Sequence, residues 1–480
     1  MTSLKPKLLY QLAVSFLYSA APVIVFPYIS RVLGPENIGK INFIDYTSQF
    51  FILFAAFGIP FYGAREIARS RKDKSLLSRS TTELVLLHLV ITVISLVLFA
   101  VMIFSRPDVF TEEALITLAV VNIVMSAFGL EWFIHGLEDF KFLARRSFII
   151  KIAGLIAVFV LVRQASDYVI YYGILIASNL IILIIDLSYV LKRKGLNTRD
   201  AHPKRHFRPL FVFFLTSITL SIYTFFDTVI LGFIAGSLAV GFYTTALKII
   251  RLSHNFINDL GGVLLPRMSF LVETGDKKEA QRIINRSMQY VLTITIPLTL
   301  FIFLASKEII LVLGGEEFIP STPVLQLLSL LPLIIGLGNI FFVQILLPFG
   351  KENKILRGVI TGSVVSIGAN LILCPLYQEM GAAMSCILAE LVVCIFLGYY
   401  ALKELPVHFP ARLTGTIILS SLAFVPLIFI ARLFSDNAFV ILGLTGSFCA
   451  VVYVMLQLYV FKNLIIKDLV GFVMNKLKIN

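Results

Sequence analysis

Between residues 244 and 258, Thr244, Lys248, Arg251, Asn255 and Asn258 recur at steps of 4, 3, 4 and 3. That is the spacing of one helix face. Leu247, Ile249, Ile250 and Phe256 fall on the other faces. Two cations a turn apart in an otherwise apolar stretch can hold an anion. Lysine acts as a point charge, and arginine as a planar fork that meets a phosphate through paired hydrogen bonds. The competing role is that both stems carry their charges to the membrane surface. Gln11, Ser15, Tyr18 and Pro22 form a second polar stripe, and Asn42, Asp45 and Gln49 a third. Each stripe suits either a polar ligand or a hydrogen-bonding seam between helices. Asp45, Glu131, Asp227 and Glu390 lie within or at the ends of apolar segments. A charge there is costly and faces an interior or a pathway, which makes the four candidates for ion coupling, against ion pairing purely for packing. Glu390 is the foremost, near the middle of its segment.

Motifs for bond chemistry are missing from the sequence. There is no G-x-x-x-x-G-K-[ST] loop and no nucleophile elbow, and the six histidines form no pair at metal-ligand spacing with a carboxylate. His202 and His206, in a basic, proline-containing stretch, read as solvated. Cys374, Cys386, Cys394 and Cys449 lie in or beside apolar segments without a C-x-x-C pair and read as packing residues. No catalytic centre, cofactor or metal is expected. A membrane enzyme acting on an external polymer would want a sizeable outer loop, and the longest connections here are short.

The elements that must position these side chains are membrane spans. Of 480 residues 58% are hydrophobic and 14% charged, with 42 phenylalanines and a mean hydropathy of +0.92; soluble domains run at roughly 45–50% and 25%. Apolar segments of spanning length occur near 8–29, 41–62, 81–104, 114–134, 147–163, 168–190, 209–234, 239–264, 287–306, 322–349, 356–376, 381–401, 411–432 and 437–461. Two are weak: 147–163 is short, and 239–264 carries Lys248 and Arg251. With both chain ends on the cytoplasmic side, 35 of the 41 lysines and arginines fall inside, and removing either weak span scrambles that bias. The net charge of +13 therefore reads as surface anchoring rather than nucleic-acid binding. The first segment is too long for a signal-peptide core and reads as an uncleaved helix.

Gly34-Pro-Glu-Asn-Ile-Gly39 after the first segment and Gly236-Ser-Leu-Ala-Val-Gly241 after the seventh share their glycine spacing. Such a repeat suits two six-helix halves, so the expected organisation is 1–208, 209–401 and a two-helix addition at 402–480. The expected fold is an all-α integral membrane protein of about fourteen transmembrane helices, in two lobes around a central cavity.

Arg31-Val-Leu-Gly-Pro-Glu-Asn-Ile-Gly-Lys-Ile-Asn-Phe43 resembles the opening signature of the polysaccharide transporter family, which includes the O-antigen flippases. Gly58-Ile-Pro-Phe-Tyr-Gly-Ala-Arg-Glu-Ile-Ala-Arg69, Glu131-Trp-Phe-Ile-His-Gly-Leu-Glu138 and the stretch from Phe226-Asp227 to Ala246 are similar to further motifs of that family. His135 stands where glutamine is as common. The resemblance implies a flippase, not an enzyme. It would carry undecaprenyl-diphosphate-linked oligosaccharides across a bacterial inner membrane by alternating access, for O-antigen, capsule or exopolysaccharide assembly. It also implies membrane lipids and polysaccharide polymerase machinery as partners. Lys248, Arg251 and Asn255 then become diphosphate-contact candidates, with Gln11 and Tyr18 on the cavity wall and Arg31 on the exit side. The nearest alternative is a multidrug exporter of the same fold, which would want an acidic cavity; a polysaccharide polymerase is more distant.

Overall fold

A computed structural model gives the side chains of residues 24–193, 202–211, 213–215, 225–252, 264–468 and 470–471, and the backbone alone at 4–23, 212, 216–224, 253–263, 469 and 472–477. Every element among the described residues is helical, as lipid requires, because a helix satisfies its own backbone hydrogen bonds. In order these are α1 (Leu4–Ala56), α2 (Ile59–Ser70), α3 (Lys74–Ser105), α4 (Glu113–Ser126), α5 (Glu131–Gly136), α6 (Phe140–Leu161), α7 (Tyr168–Lys192), α8 (Phe207–Glu273), α9 (Lys277–Leu304), α10 (Ser306–Leu313), α11 (Ser321–Leu328), α12 (Leu331–Asn339), α13 (Glu352–Glu404), α14 (Ala411–Ser421), α15 (Phe424–Phe434), α16 (Ala438–Met455) and α17 (Leu464–Leu477). Ten helical segments of the described residues are long and apolar enough to cross a bilayer, so the chain is a multi-pass integral membrane protein. Starts are set by polar caps. Asp73 accepts from the amides of Ser75 and Leu76 to begin α3, and Asp139, Asp276 and Asn437 cap α6, α9 and α16.

Three helices are too long to be single spans. α1 and α13 run 53 residues and α8 runs 67; at 1.5 Å per residue even the shorter would reach about 80 Å, more than twice the ~30 Å hydrocarbon core. Each contains one residue with non-helical backbone: Gly34 (φ 73°) in α1, Gly236 (φ 79°) in α8 and Gln378 (φ 50°) in α13. Gly34 and Gly236 are the first glycines of the repeated sextets, and their conformation, with ψ near 180°, is open to glycine and strained for other residues. The repeat is thus a repeated helix break.

The chain folds as two compact units, Met1–Gly241 and Phe242–Asn480. In the first, α1 packs on α3, α4, α6 and α7, while α2 packs on α5. The α2–α5 contact joins two of the sequence motifs. A β-carbon at Gly63 would lie 2.6 Å from the ring of Trp132, and one at Gly136 would lie 2.6 Å from Ile67. The first stretch of α8, to Gly241, also belongs to this unit. Its aromatic rings meet those of α1 in an antiparallel row: Phe233 on Phe43, Phe225 on Tyr46, Phe226 on Phe50, and Phe214 on Phe54 and Phe57. In the second unit α9 packs on α12 and α14, α13 on α12, and α16 on α10 and α15.

Candidate functional site

The two glycine sextets meet. A β-carbon at Gly39 would overlap the Ser237 carbonyl oxygen and lie 2.9 Å from the amide nitrogen of Gly241; one at Gly241 would overlap the carbonyl oxygen of Pro35 and lie 3.4 Å from the Gly39 nitrogen. The relation is reciprocal: the sixth residue of each sextet rests on the second residue of the other. Backbone meets backbone with no room for a side chain. This occurs at the end of the helices that the basic-residue partition assigns to the outside.

The nominated cations lie elsewhere on α8. Lys248 and Arg251 are half-buried, while Leu247, Ile249 and Ile250 beside them are buried. Thr244, expected on the same polar stripe, is fully buried, so the stripe is covered at that end. The side chains of Asn255, Gln11 and Tyr18 lie outside the described residues. Arg31 is exposed and donates to the Pro27 carbonyl at 2.6 Å. Asp45 is half-buried and accepts from the Tyr172 hydroxyl at 3.4 Å, Asp227 is buried, and Glu390 is half-buried.

Glu131 has different company. Its carboxylate is half-exposed, 3.4 Å from His135 and 3.2 Å from the Arg146 guanidinium. Arg146 also pairs with Asp186, and both side chains of that pair are 2% exposed. Glu308, likewise buried, takes a two-pronged contact from Arg432 at 2.8 and 2.9 Å. Neither Asp186 nor Glu308 was expected from sequence as a site residue. Yet Asp186 stands in the run Leu-Ile-Ile-Asp-Leu, the same carboxylate-in-a-span pattern that marks Glu390.

The structure corrects the solvated reading of the histidine pair. His202 is exposed, but His206 is buried; its Nδ1 lies 2.7 Å from the Tyr62 hydroxyl and its Nε2 lies 2.8 Å from Glu83. Glu83, fully buried, also accepts from the His202 amide and from the guanidinium groups of Arg79 and Arg205. The network ties the segment entering α8 to α2 and α3. Removing one member strands a buried polar group at about 1–3 kcal/mol. His206→Ala should therefore lower the unfolding midpoint of the detergent-purified protein by several degrees, and His206→Gln should recover part of the loss. An unchanged midpoint for the alanine variant would remove the network's anchoring role.

A profile of the family described as polysaccharide biosynthesis protein matches residues 5–272. The chain belongs to that family. A relative from Escherichia coli (strain K12), described as a "Putative O-antigen transporter", is 25% identical over 394 residues, covering 82% of this chain and 95% of the relative. Among solved structures, the lipid II flippase MurJ in an inward closed conformation superposes with a TM-score of 0.72 at 17% identity, over 95% of this chain and 100% of that one. A multidrug resistance MATE transporter, inward-facing, gives 0.62 at 15% identity over 83% and 94%. This member of the polysaccharide biosynthesis protein family therefore has the transporter fold that MurJ and the MATE proteins share.

Proposed function

We propose that this protein is a flippase that carries undecaprenyl-diphosphate-linked oligosaccharide repeat units from the cytoplasmic to the outer leaflet of a bacterial inner membrane by alternating access. The observation that carries the proposal is the match along 95% of the Escherichia coli O-antigen relative, joined to a fold shared with a lipid-linked glycan flippase. The physical problem is a diphosphate and a sugar chain crossing roughly 30 Å of hydrocarbon, where each unpaired polar group costs several kcal/mol. A polar path between helices removes that barrier while the lipid tail stays in the bilayer.

In this reading the three long helices each cross twice and α6 crosses as well, giving fourteen spans with both ends cytoplasmic. The halves are 1–208 and 209–401, with 402–480 added. In this reading the Gly39–Gly241 contact belongs to the state in which the path is closed to the outside. Lys248 and Arg251 receive the diphosphate, Asn255, Gln11 and Tyr18 line the path, and Arg31 serves the exit. Glu390, Asp227, Asp45 and Glu131 are the ion-coupling set. A polysaccharide polymerase is the downstream partner.

In cells deleted for the gene, lipid-linked oligosaccharide should accumulate on the inner leaflet and surface glycan should disappear, while drug tolerance stays unchanged. The wild-type gene should restore glycan. A Lys248→Ala/Arg251→Ala gene should not, though its protein reaches the membrane at normal level, and Arg251→Lys should restore only part because a point charge replaces a planar fork. Undiminished surface glycan in the deletion strain would end the flippase reading. Full export by the double variant would return both residues to surface anchoring.

A further inference from the structure

A cavity of about 310 Å³ lies at the end of the first unit where the two sextets meet, walled by Lys40, Arg106, Asp108, Glu112, Phe43 and Phe233. Its charges cancel in pairs. The Lys40 ammonium sits 2.9 Å from one Glu112 oxygen, and the Tyr168 hydroxyl donates to the other at 2.6 Å. The Arg106 guanidinium donates to both oxygens of Asp108 at 3.0–3.3 Å. Glu112 and Asp108 lie between spans, and their carboxyls are held below the usual range, Glu112 by Tyr168 and then Lys40, Asp108 by Arg106. Both pairs therefore persist from neutral pH down through the ordinary carboxylate range and are lost only as pH falls past the lowered values.

Two cations matched by two carboxylates give no net pull on a phosphate, so this is a different kind of site from the Lys248–Arg251 pair. What the cavity offers is alternation. Carboxylate oxygens with unused lone pairs stand beside ammonium and guanidinium donors. Phe43, Phe110 and Phe233 form a triangle with ring centroids 5.5–5.6 Å apart, and Arg106 lies over Phe233. A pyranose has the same two-sided character, with an apolar C–H face and a rim of hydroxyls that each donate and accept. The volume is at the small end of ligand pockets and suits one or two sugar rings.

We propose that this cavity is a carbohydrate subsite on the outer side, which holds a sugar ring of the transported oligosaccharide through the Asp108 and Glu112 carboxylates over the phenylalanine floor. The proposal rests on the flippase reading for its ligand. Gly236 and Ser237 close one wall, and Ser237 is also the residue on which Gly39 rests. The subsite is complete only while the two sextets are together, so a sugar bound there favours the closed end over the open one by its differential affinity.

The test uses the full-length Thr111→Cys protein, since Thr111 lines the cavity and is exposed. It is held in sealed right-side-out vesicles and treated with a membrane-impermeant maleimide; the wild-type chain is the blank for the four native cysteines. The probes are the repeat-unit oligosaccharide released by mild acid from the same cells and, separately, inorganic diphosphate. Millimolar oligosaccharide should slow labelling at least fivefold, and inorganic diphosphate should not. Asp108→Asn/Glu112→Gln should raise the protecting concentration at least tenfold. Asp108→Asn alone, at an exposed side chain, should raise it severalfold in a protein with no folding risk. Protection by diphosphate alone, no protection by the oligosaccharide, or no labelling from outside would each overturn the subsite. Failure of the flippase reading is read separately, from surface glycan in the complemented deletion strain.

Discussion

Gly39→Ala and Gly241→Ala should each reduce surface glycan export about fivefold or more while the protein remains in the membrane at normal level. The β-carbon of either variant would overlap a carbonyl oxygen of the facing sextet, and the obstructing atoms are backbone, which cannot rotate away. Forcing an added methyl into such a contact costs about 1–3 kcal/mol, enough to shift a two-state equilibrium roughly 5- to 150-fold. The cost falls only on the arrangement in which the sextets touch, so the open arrangement gains at its expense and the protein still folds. Gly368→Ala is the matched control, since nothing lies within 4 Å of its added β-carbon. Wild-type export from both sextet variants would mean that the contact does not take part in transport.

Arg146→Ala should prevent accumulation of the protein in the membrane. It leaves Asp186, 2% exposed, as an uncompensated buried carboxylate, and breaking such a pair costs about 3–5 kcal/mol, a large share of a typical folding free energy. Asp186→Leu should lower the level less, because Arg146 keeps Glu131 as a partner. Arg146→Met combined with Asp186→Leu should restore the protein level, because an apolar pair of similar volume needs no partner. Export by the restored double variant then separates two roles. Normal export makes the pair a packing device; lost export with normal protein level makes the Arg146–Asp186 pair, with the Arg146 contact to Glu131, part of transport. Normal levels of the single Arg146→Ala protein would contradict the burial argument outright.

The all-helical membrane character and the two glycine sextets were legible in the sequence because length, apolarity and glycine spacing are local properties. That the sextets touch was not, since equal spacing in two segments 202 positions apart carries no statement about their contact. His206 shows the same limit from the other side. Its neighbours in sequence are basic and polar, which reads as solvated, while its burial comes from Tyr62 and Glu83, 144 and 123 residues away. On α8 Lys248 and Arg251 are half-buried while Thr244, a turn earlier on the same stripe, is buried, a difference that helical spacing alone does not carry. Asp186 matches the pattern of Glu390, and Glu308 follows a lysine beyond its apolar segment, but what makes each a buried pair lies far off in sequence, at Arg146 and Arg432, 40 and 124 residues away.

In the proposed transport cycle the row of rings between α1 and the first stretch of α8 would serve as a dry bearing. Aromatic contacts between Phe43 and Phe233, Phe50 and Phe226, and Phe54 and Phe214 are held by dispersion and weak quadrupole attraction, each worth about 0.5–1.5 kcal/mol beyond area burial. A phenylalanine ring has no hydrogen bond to give up on leaving its partner, and lipid chains can take the place of a departing ring at little cost. Two helices that part and rejoin along such a surface meet a low, nearly even friction over its length, and the directional strength is concentrated at the ends: Glu83 and His206 at one, the glycine sextets at the other.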